Sequence, residues 1–441
     1  MGRSATTPEE NDRSTACTSP GALIQFEELK KHNKRNDQWL LIDGKAYNVT
    51  EFAKTHPGGA KILHHYAGED ATDAWTAFHN DKEKVSKYMK SLYVGEVKDA
   101  PTSEVTEDFR KLRQLVEERG WLRTQSWFHV WHFLQVVLLE VLAVTLLWYC
   151  GVTWTTTVIA IVLLTISQSL AGFAKHDSAH HSVFPDLRRS HLLHHFVGGL
   201  LKGTSSHWWN FKHFQHHAKP NVIKKDPDIS LSWVFLIGDK LPVEFGKKKL
   251  GFMPYQWQHV YFFFLLPPLL VPVYFHLEIL YFCLKRKKWL ELALMLCFCS
   301  RLLYTYTPFF GLWGTFAFYM AVRVLESHWF TWISQMSHLP NEIVKDNKEL
   351  EWFHMQLQAS CNVEPGWFND WFTGHLNYQI EHHLFPTMSR ANLHKVAPLV
   401  QSLCEKHGIE YRNKTLMTGF IDVVRMLKRS GKLWYDAYYE R

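Results

Sequence analysis

Two apolar runs near the middle of the chain, residues 132–149 and 155–174, place the strongest constraint on its fold. Each has the length of a helix that crosses a hydrocarbon layer about 30 Å thick. The loop between them carries no charge, whereas Arg119, Arg123 and Lys175 flank their other ends. Because basic residues stay on the cytosolic side of a membrane, this pattern predicts a helical hairpin whose two outer ends face the cytosol.

Three histidine clusters stand beside apolar segments. Residues 213–217 (HFQHH) place three imidazoles at positions i, i+3 and i+4, which lie on one face of a helix. Residues 176–180 (HDSAH) contain an i, i+4 pair, and residues 379–383 (QIEHH) repeat the middle cluster with Gln in place of its first His. Neutral imidazole is a common ligand of transition metals, so the three clusters predict one shared metal centre rather than separate structural histidines.

His338 joins this set because it directly follows the last apolar run, at the membrane face where the clusters emerge. The predicted metal ligands, all of which except His338 are also predicted to be catalytic, are His176, His180, His213, His216, His217, His338, Gln379, His382 and His383. About eight ligands exceed the four that zinc takes and predict two iron ions. Residues 191–195 (HLLHH) copy the spacing of the middle cluster, and His375 lies one turn before Gln379; whether they bind metal stays open.

Three further apolar runs lie between the second and third clusters, at residues 260–284, 289–306 and 307–325. Since the clusters must face the same side, only two of these runs can cross. If 260–284 crosses, the basic residues 285–288 become lumenal, against the positive-inside rule. If its prolines break it into an interfacial segment, the basic residues stay cytosolic. Either way the chain has four transmembrane helices, and the choice stays open.

The N-terminal part reads as a small α+β module. Short strand patterns lead to HPGG at residues 56–59, and AGEDAT at residues 67–72 precedes a second histidine, His79. This run resembles a cytochrome b5 domain. The resemblance implies a b-type haem with His56 and His79 as axial ligands, which leave the iron no open position, so that the haem carries electrons.

The predicted domains follow from these patterns: a disordered polar tail at residues 1–19, the haem module at 20–97, a linker with one amphipathic helix at 98–128, and the membrane domain at 129–441. The net charge of +7 does not predict nucleic-acid binding, because basic residues cluster beside apolar segments, where they contact the lipid bilayer. A tethered electron carrier suits a metal centre that activates O₂. The chain has no GxGxxG or P-loop motif, so a separate reductase must supply the electrons.

The haem module together with HDxxH, HFQHH and QIEHH resembles the front-end fatty acyl desaturases along nearly the full chain. Residues 208–220, 368–372 and 374–386 are similar to animal Δ5/Δ6 desaturases; residues 179–181 (AHH) depart from relatives that often have Gly before the histidine. The resemblance implies an α+β cytochrome b5-like domain fused to an all-α integral membrane desaturase domain, with four transmembrane helices and a cytosolic helical cap.

The same resemblance implies an enzyme of the endoplasmic reticulum membrane with both termini cytosolic. It would use O₂, and electrons from NADH through cytochrome b5 reductase, to insert a cis double bond into a polyunsaturated acyl-CoA between an existing double bond and the carboxyl end. Similarity at residues 243–246 and 326–328 favours Δ6 activity on C18 chains, whereas residues 191–195 are more similar to Δ5 relatives. Δ5 or Δ8 desaturation, a sphingolipid desaturase, a fatty acyl hydroxylase and an inactive haem and metal scaffold are the alternatives.

Overall fold

A computed structural model describes residues 22–79, 81–184, 186–345 and 350–440. The tail predicted at residues 1–19 lies outside the described residues. The strands are β1 Ala22–Gln25, β2 Asn33–Lys34, β3 Asp37–Ile42, β4 Lys45–Asn48, β5 Tyr93–Lys98, β6 Asn362–Val363 and β7 Asn413–Lys414. The α-helices are α1 Phe26–Leu29, α2 Ala60–Tyr66, α3 Thr72–Phe78, α4 Lys82–Met89, α5 Glu104–Glu118, α6 Ser126–Cys150, α7 Trp154–Ala179, α8 Leu187–His195, α9 Ser206–Ala218, α10 Lys240–Lys247, α11 Gln258–Leu269, α12 His276–Lys285, α13 Trp289–Met336, α14 Trp352–Ala359, α15 Trp367–Thr373, α16 Gln379–Leu384, α17 Leu393–Lys406 and α18 Leu416–Tyr439.

The N-terminal domain is a five-stranded sheet in the order β1-β5-β4-β3-β2, with helices α2 to α4 packed on one face. Side chains alternate along β3, as the two-residue period of a strand requires: Trp39 and Leu41 enter one apolar cluster, and Leu40 and Ile42 enter another. The second cluster continues into the rest of the molecule. This domain confirms the predicted α+β class.

The linker helix α5 packs against both domains. Its apolar face places Phe109, which is 1% exposed, against Phe353 and Phe385 of the membrane domain. Its polar face turns toward the haem domain, where Arg110 makes a two-pronged ion pair with Asp73. The amphipathic pattern of this helix is therefore explained by an apolar face that packs on the membrane domain and a polar face that contacts the haem domain.

Four segments of the described chain are long and apolar enough to cross a membrane: Ser126–Cys150, Trp154–Ala179, Tyr255–Lys285 and Trp289–Met336. The last, α13, breaks at Gly311, where the backbone adopts a φ of 66° and a ψ of 178°. It therefore consists of two arms, 289–310 and 312–336. Both arms pack with α6 and α7 around Tyr306 and Phe318, so the four-helix bundle consists of α6, α7 and these arms.

Aromatic side chains mark the end of the bundle that is far from the histidine clusters. Trp148 and Trp154 lie on either side of the α6–α7 loop, and Trp313 follows the break in α13; all three are at least 70% exposed. Trp is enriched where a protein meets the membrane–water interface. This arrangement supports a bilayer around the bundle.

The segment from Tyr255 to Lys285 does not run through the bundle from end to end. Phe262 packs on Trp332 near the end of α13, and Phe282 packs on Phe211 of α9, so both ends lie on the side of the histidine clusters. Its middle reaches Tyr319, whose hydroxyl lies 2.9 Å from Nε2 of His276. The segment enters the bundle and returns to the side from which it came. The basic residues 285–288 therefore stay on the side of the cap, as in the arrangement in which residues 260–284 do not cross.

The remaining helices, α8 to α10 and α14 to α18, form the cap at one end of the bundle. The haem domain and the cap share one buried apolar cluster, in which Tyr66 and Ala77 join Phe109, Phe353 and Phe385. The fold thereby holds the haem domain against the part of the cap that carries the histidine clusters. The predicted class of a membrane domain with a helical cap is confirmed.

Candidate metal centre and haem site

The nine side chains predicted as metal ligands meet in two adjacent groups beneath the haem domain. The first group consists of five histidines whose ligand atoms all lie within 4.8 Å of one another: His176, His180, His213, His217 and His382. The second group consists of three histidines with the same mutual distances and one amide beside them: His216, His338, His383 and Gln379. The structure thus brings all nine residues together, while their roles as ligands and in catalysis stay predictions.

Helix geometry explains why the second and third clusters each serve both groups, whereas both histidines of the first cluster lie in the first group. On α9, His213 and His217 are four residues apart and share one face, whereas His216 points to the neighbouring face and enters the second group. On α16 the adjacent residues His382 and His383 divide in the same way. Two short helices therefore contribute to two sites at once.

The nitrogens of the first group face one another. Nε2 of His213 lies 2.8 Å from Nε2 of His180 and 3.1 Å from Nε2 of His217. A neutral imidazole carries one proton, so the nitrogen of His213 cannot form satisfactory hydrogen bonds with both neighbours. A metal cation would accept the lone pairs of all three nitrogens, which is the chemistry that this donor set fits.

The second group is oriented by acceptors behind each ring. Nδ1 of His216 lies 2.9 Å from the carboxylate of Asp226, Nδ1 of His338 lies 2.9 Å from a backbone carbonyl, and Nδ1 of His383 lies 2.8 Å from the amide oxygen of Gln356. Each Nδ1 must donate to its acceptor, which leaves the lone pair on Nε2. Nε2 of His383 is buried and has no hydrogen-bond partner among the described residues.

The amide of Gln379 lies at the edge of this second group, with its nitrogen 2.9 Å from Nε2 of His338. Since the amide oxygen and nitrogen of Gln are interchangeable by a flip of the side chain, the oxygen can face the same point as the imidazoles. An amide oxygen in place of a fourth histidine would complete this group.

The protonation states of most of these histidine rings also suit metal binding. Burial lowers the pKa of His338 to about 3, and burial and neighbouring imidazoles hold the pKa of His213, His217 and His383 well below the usual value. These rings are neutral at physiological pH, as ligands must be. His216 differs: burial lowers its pKa, but the charges of the two aspartates in residues 226–228 outweigh burial and raise it to about 9. A bound metal would take the place of that proton.

Three carboxylates near the histidine clusters, those of Asp177, Asp226 and Glu381, differ in what they contact. Asp226 binds a predicted ligand, as described above. Asp177 instead forms an ion pair with Arg390 at 2.7 Å, and Glu381 accepts hydrogen bonds from Asn362 and Tyr411, each at 2.8 Å. Glu381 therefore anchors α16 rather than an imidazole ring, whereas Asp177 holds Arg390 and also lies 3.8 Å from Nδ1 of His176.

The other histidines lie outside both groups. His375 packs against Phe128 and His132 at the base of α6, and His191 packs against His181. Residues 191–195 therefore copy the spacing of the middle cluster without joining it. Conversely, no sequence motif indicated Gln356, whose amide oxygen orients one ligand while its amide nitrogen donates to the backbone of His217.

The two predicted haem ligands face each other in the N-terminal domain. The ring centres of His56 and His79 are 6.4 Å apart, which leaves room for one iron between them. Nδ1 of His79 lies 2.8 Å from the carbonyl of Trp75 and must donate to it, so that Nε2 is free to bind iron. Burial lowers the pKa of His56 to about 4 and keeps that ring neutral.

One side chain joins this haem site to the metal centre. Phe78 precedes His79 in the chain, and its ring lies edge-on to the ring of His217 at 6.4 Å between centres. The rings of Phe214 and Trp352 also pack against the ring of Phe78. The path from the predicted haem ligand His79 to the predicted metal ligand His217 therefore consists of one peptide bond and one ring contact.

A haem-binding domain packed on a histidine-rich centre at the end of an apolar helical bundle defines a membrane-bound oxidoreductase. Residues 152–415 match the family described as fatty acid desaturase, and residues 25–98 match the cytochrome b5-like haem/steroid binding domain. The first match spans more than half of the chain, so the chain belongs to the fatty acid desaturase family and carries an N-terminal cytochrome b5-like domain. Among solved structures, the chain is similar to the cytochrome b5 of Ostreococcus tauri virus 2, with 32% identity, a TM-score of 0.17, and coverage of 17% of this chain and 96% of that chain.

The contact between Asp226 and His216 gives a first prediction. Replacing Asp226 with Asn keeps the shape of the side chain but removes its charge, so the acceptor behind His216 becomes a neutral, weaker amide oxygen and the ring loses basicity. We expect the affinity for non-haem iron to fall by about 10–100-fold, with the haem content unchanged. Iron is measured after dialysis against graded chelator.

The matched control is Asp228→Asn on the same loop, since the carboxylate of Asp228 is 3.7 Å from Nδ1 of His216 and is half-exposed. It should lose clearly less iron than Asp226→Asn, because the carboxylate of Asp228 lies farther from the ring than that of Asp226. Equal iron loss in both variants, or none in Asp226→Asn, would contradict the orienting role of Asp226.

Proposed function

We propose that this chain is a front-end fatty acyl desaturase of the endoplasmic reticulum membrane, with both termini in the cytosol. Its substrate is a polyunsaturated acyl-CoA, and the product carries a new cis double bond between an existing one and the carboxyl end, at Δ6 of C18 chains. Electrons pass from NADH through cytochrome b5 reductase to a b-type haem on His56 and His79. Two non-haem iron ions occupy the two groups of ligands described above.

The observation that carries this proposal is the contact of the haem domain with the metal centre through Phe78 and His217. Desaturation with O₂ requires two electrons and two protons from outside the substrate: the alkyl chain loses two hydrogens, and O₂ leaves as two molecules of water. A tethered electron carrier one ring contact away from the metal ligands meets this requirement. A protein that only binds metal and does not catalyse a reaction would not need an electron carrier.

The contacts that dock the haem domain are polar as well as apolar. The hydroxyl of Tyr66 donates to the carbonyl of Ala218 at 2.7 Å, one residue after the second cluster, and Lys219 pairs with Glu69 at 2.6 Å. Arg113 of the linker helix donates to the carbonyl of Thr76 at 2.8 Å. These bonds surround the position of Phe78 and hold its orientation.

Bound iron would supply the activation of O₂ and the removal of hydrogen from the substrate. The chain supplies the rest: eight imidazoles and one amide hold the metals, and the buried cap keeps bulk water from them. Asp226 and Gln356 fix two of the rings. The haem domain closes the cap over α9.

A narrow apolar crevice near the second group is our proposed path for part of the acyl chain. It lies between the segment that enters and returns, the C-terminal helix α18 and the end of α13, and Phe262, Leu266 and Leu427 line it. Its polar edge is formed by Asp228 and Gln335. Pockets for lipid chains have this composition, apolar with a few polar groups.

Expression in yeast fed with linoleate, linolenate or a C20 trienoate tests the function. We expect the parent chain to convert the C18 acids to Δ6 products, detected by gas chromatography of the extracted lipids. His216→Ala should abolish the product because the second group loses a ligand, whereas His328→Ala, which lies outside both groups, should keep it. A Δ5 or Δ8 product would correct the position; a hydroxylated acid, a desaturated sphingoid base or no product at all would reject the proposal.

Phe78→Leu tests the electron path separately. Removing the ring leaves the haem ligands in place but breaks the contact with His217, and since rates depend steeply on the arrangement of reacting groups, we expect reoxidation of the reduced haem under O₂ and substrate to slow roughly tenfold. Stopped-flow absorbance at the haem bands measures this rate, and the haem spectrum should not change.

The control for this variant is Phe52→Leu. The ring of Phe52 contacts the other proposed haem ligand, His56, at 5.7 Å between ring centres, and also contacts the ring of Tyr88. The reduced haem of the Phe52→Leu variant should be reoxidised at the rate of the parent chain. Equal slowing in both variants would assign the effect to the haem pocket and contradict the path through Phe78.

A further inference from the structure

A second, separate set of metal-binding side chains lies at the edge of the cap. His195 ends α8, His207 lies in the first turn of α9, and Glu291 lies in the first turn of α13. One ligand atom from each lies within 4.8 Å of the other two. None of the three belongs to the groups described above, so this set is independent of the proposed function.

The distances match those between ligands on one small cation. Oε1 of Glu291 is 3.3 Å from Nδ1 of His195 and 2.9 Å from Nδ1 of His207. Tetrahedral zinc, with bonds of about 2.0–2.2 Å, holds neighbouring ligand atoms about 3.3–3.6 Å apart. The first distance already fits, and a movement of a few tenths of an ångström by the exposed ring of His207 brings the second into range.

Hydrogen bonds within the protein satisfy Glu291 and His207, since Nδ1 of His207 donates to Oε1 of Glu291 at 2.9 Å, but they leave His195 with only a longer contact to that oxygen. Glu291 is 2% exposed and accepts from the hydroxyl of Ser205 and from the backbone N–H groups of Ser206 and His207, so its charge is already directed at the start of α9. Nδ1 of His195 is buried and lacks a hydrogen-bond partner among the described residues. An unpaired ring nitrogen aimed at a buried carboxylate oxygen is the arrangement that a shared cation stabilises.

We propose that His195, His207 and Glu291 form a binding site for a zinc-class divalent cation. Two imidazoles and one carboxylate are a donor set typical of zinc. The fourth position faces solvent, because the side chain of His207 is 46% exposed and lies at the rim. The bound cation joins α8, α9 and α13, and thereby braces the start of the helix that carries His213, His216 and His217 further along.

The test uses the purified full chain, loaded with haem and iron, in detergent. One equivalent of zinc is added, the excess is removed by gel filtration, and zinc and iron are measured by mass spectrometry of the metals. We expect about one zinc retained per chain, no loss of iron, and a higher midpoint of thermal unfolding, since a ligand that binds the folded state stabilises it. His207→Ala and His195→Ala should each retain less than about a tenth of that zinc.

The matched control is His191→Ala, one turn earlier on α8 and outside the set, which should retain zinc like the parent chain. Zinc retention by His207→Ala equal to that of the parent chain would overturn the site. Zinc uptake accompanied by an equal loss of iron in every variant would also overturn it, because the cation would then be replacing iron in the central groups. Failure of the parent chain to retain zinc would reject the site outright.

Discussion

Eight imidazoles, seven of them buried and that of His213 partly exposed, bring their ring nitrogens together in two groups, and the rest of this molecule depends on this arrangement. Neutral rings crowded in this way, such as His180, His213 and His217, satisfy few of their nitrogens by hydrogen bonds to one another. Without a cation the burial of these polar atoms is costly. With metals bound, the same nitrogens tie together α7, α9, α16 and the end of α13, which come from distant parts of the sequence. Metal binding at the predicted ligands would therefore be coupled to folding of the cap.

The position of the haem domain is set by its contacts with α9, which carries the middle histidine cluster, and with α5. The outer face of α9 carries Phe214 toward Phe78, while its inner face carries the predicted ligands, so the helix would serve the metals and the electron donor together. The linker helix α5 shares its apolar face with the cap and its charged face with the haem domain. Electron transfer between the two sites thus requires no long passage through protein, and the short contact is a consequence of how α5 and α9 pack.

Much of this arrangement could be predicted from the sequence because periodicity is local. The i, i+3, i+4 spacing of residues 213–217 places imidazoles on one side of a helix, and the charge pattern around α6 and α7 orients a hairpin. Spacing cannot show that His216 and His217 serve different groups, because this depends on where α16 packs. Nor can it find Gln356, which orients a ligand across space, or decide how the segment from Tyr255 to Lys285 turns back. Those features arise from contacts between residues far apart in the chain.

The amount and state of non-haem iron in the purified full-length chain test the central claim most directly. The account predicts two non-haem iron ions for each haem, with a Mössbauer spectrum of an iron pair in nitrogen-rich coordination. Active protein that contains haem but no non-haem iron would contradict it, as would a single iron that is retained when His216 and His383 are both replaced with Ala.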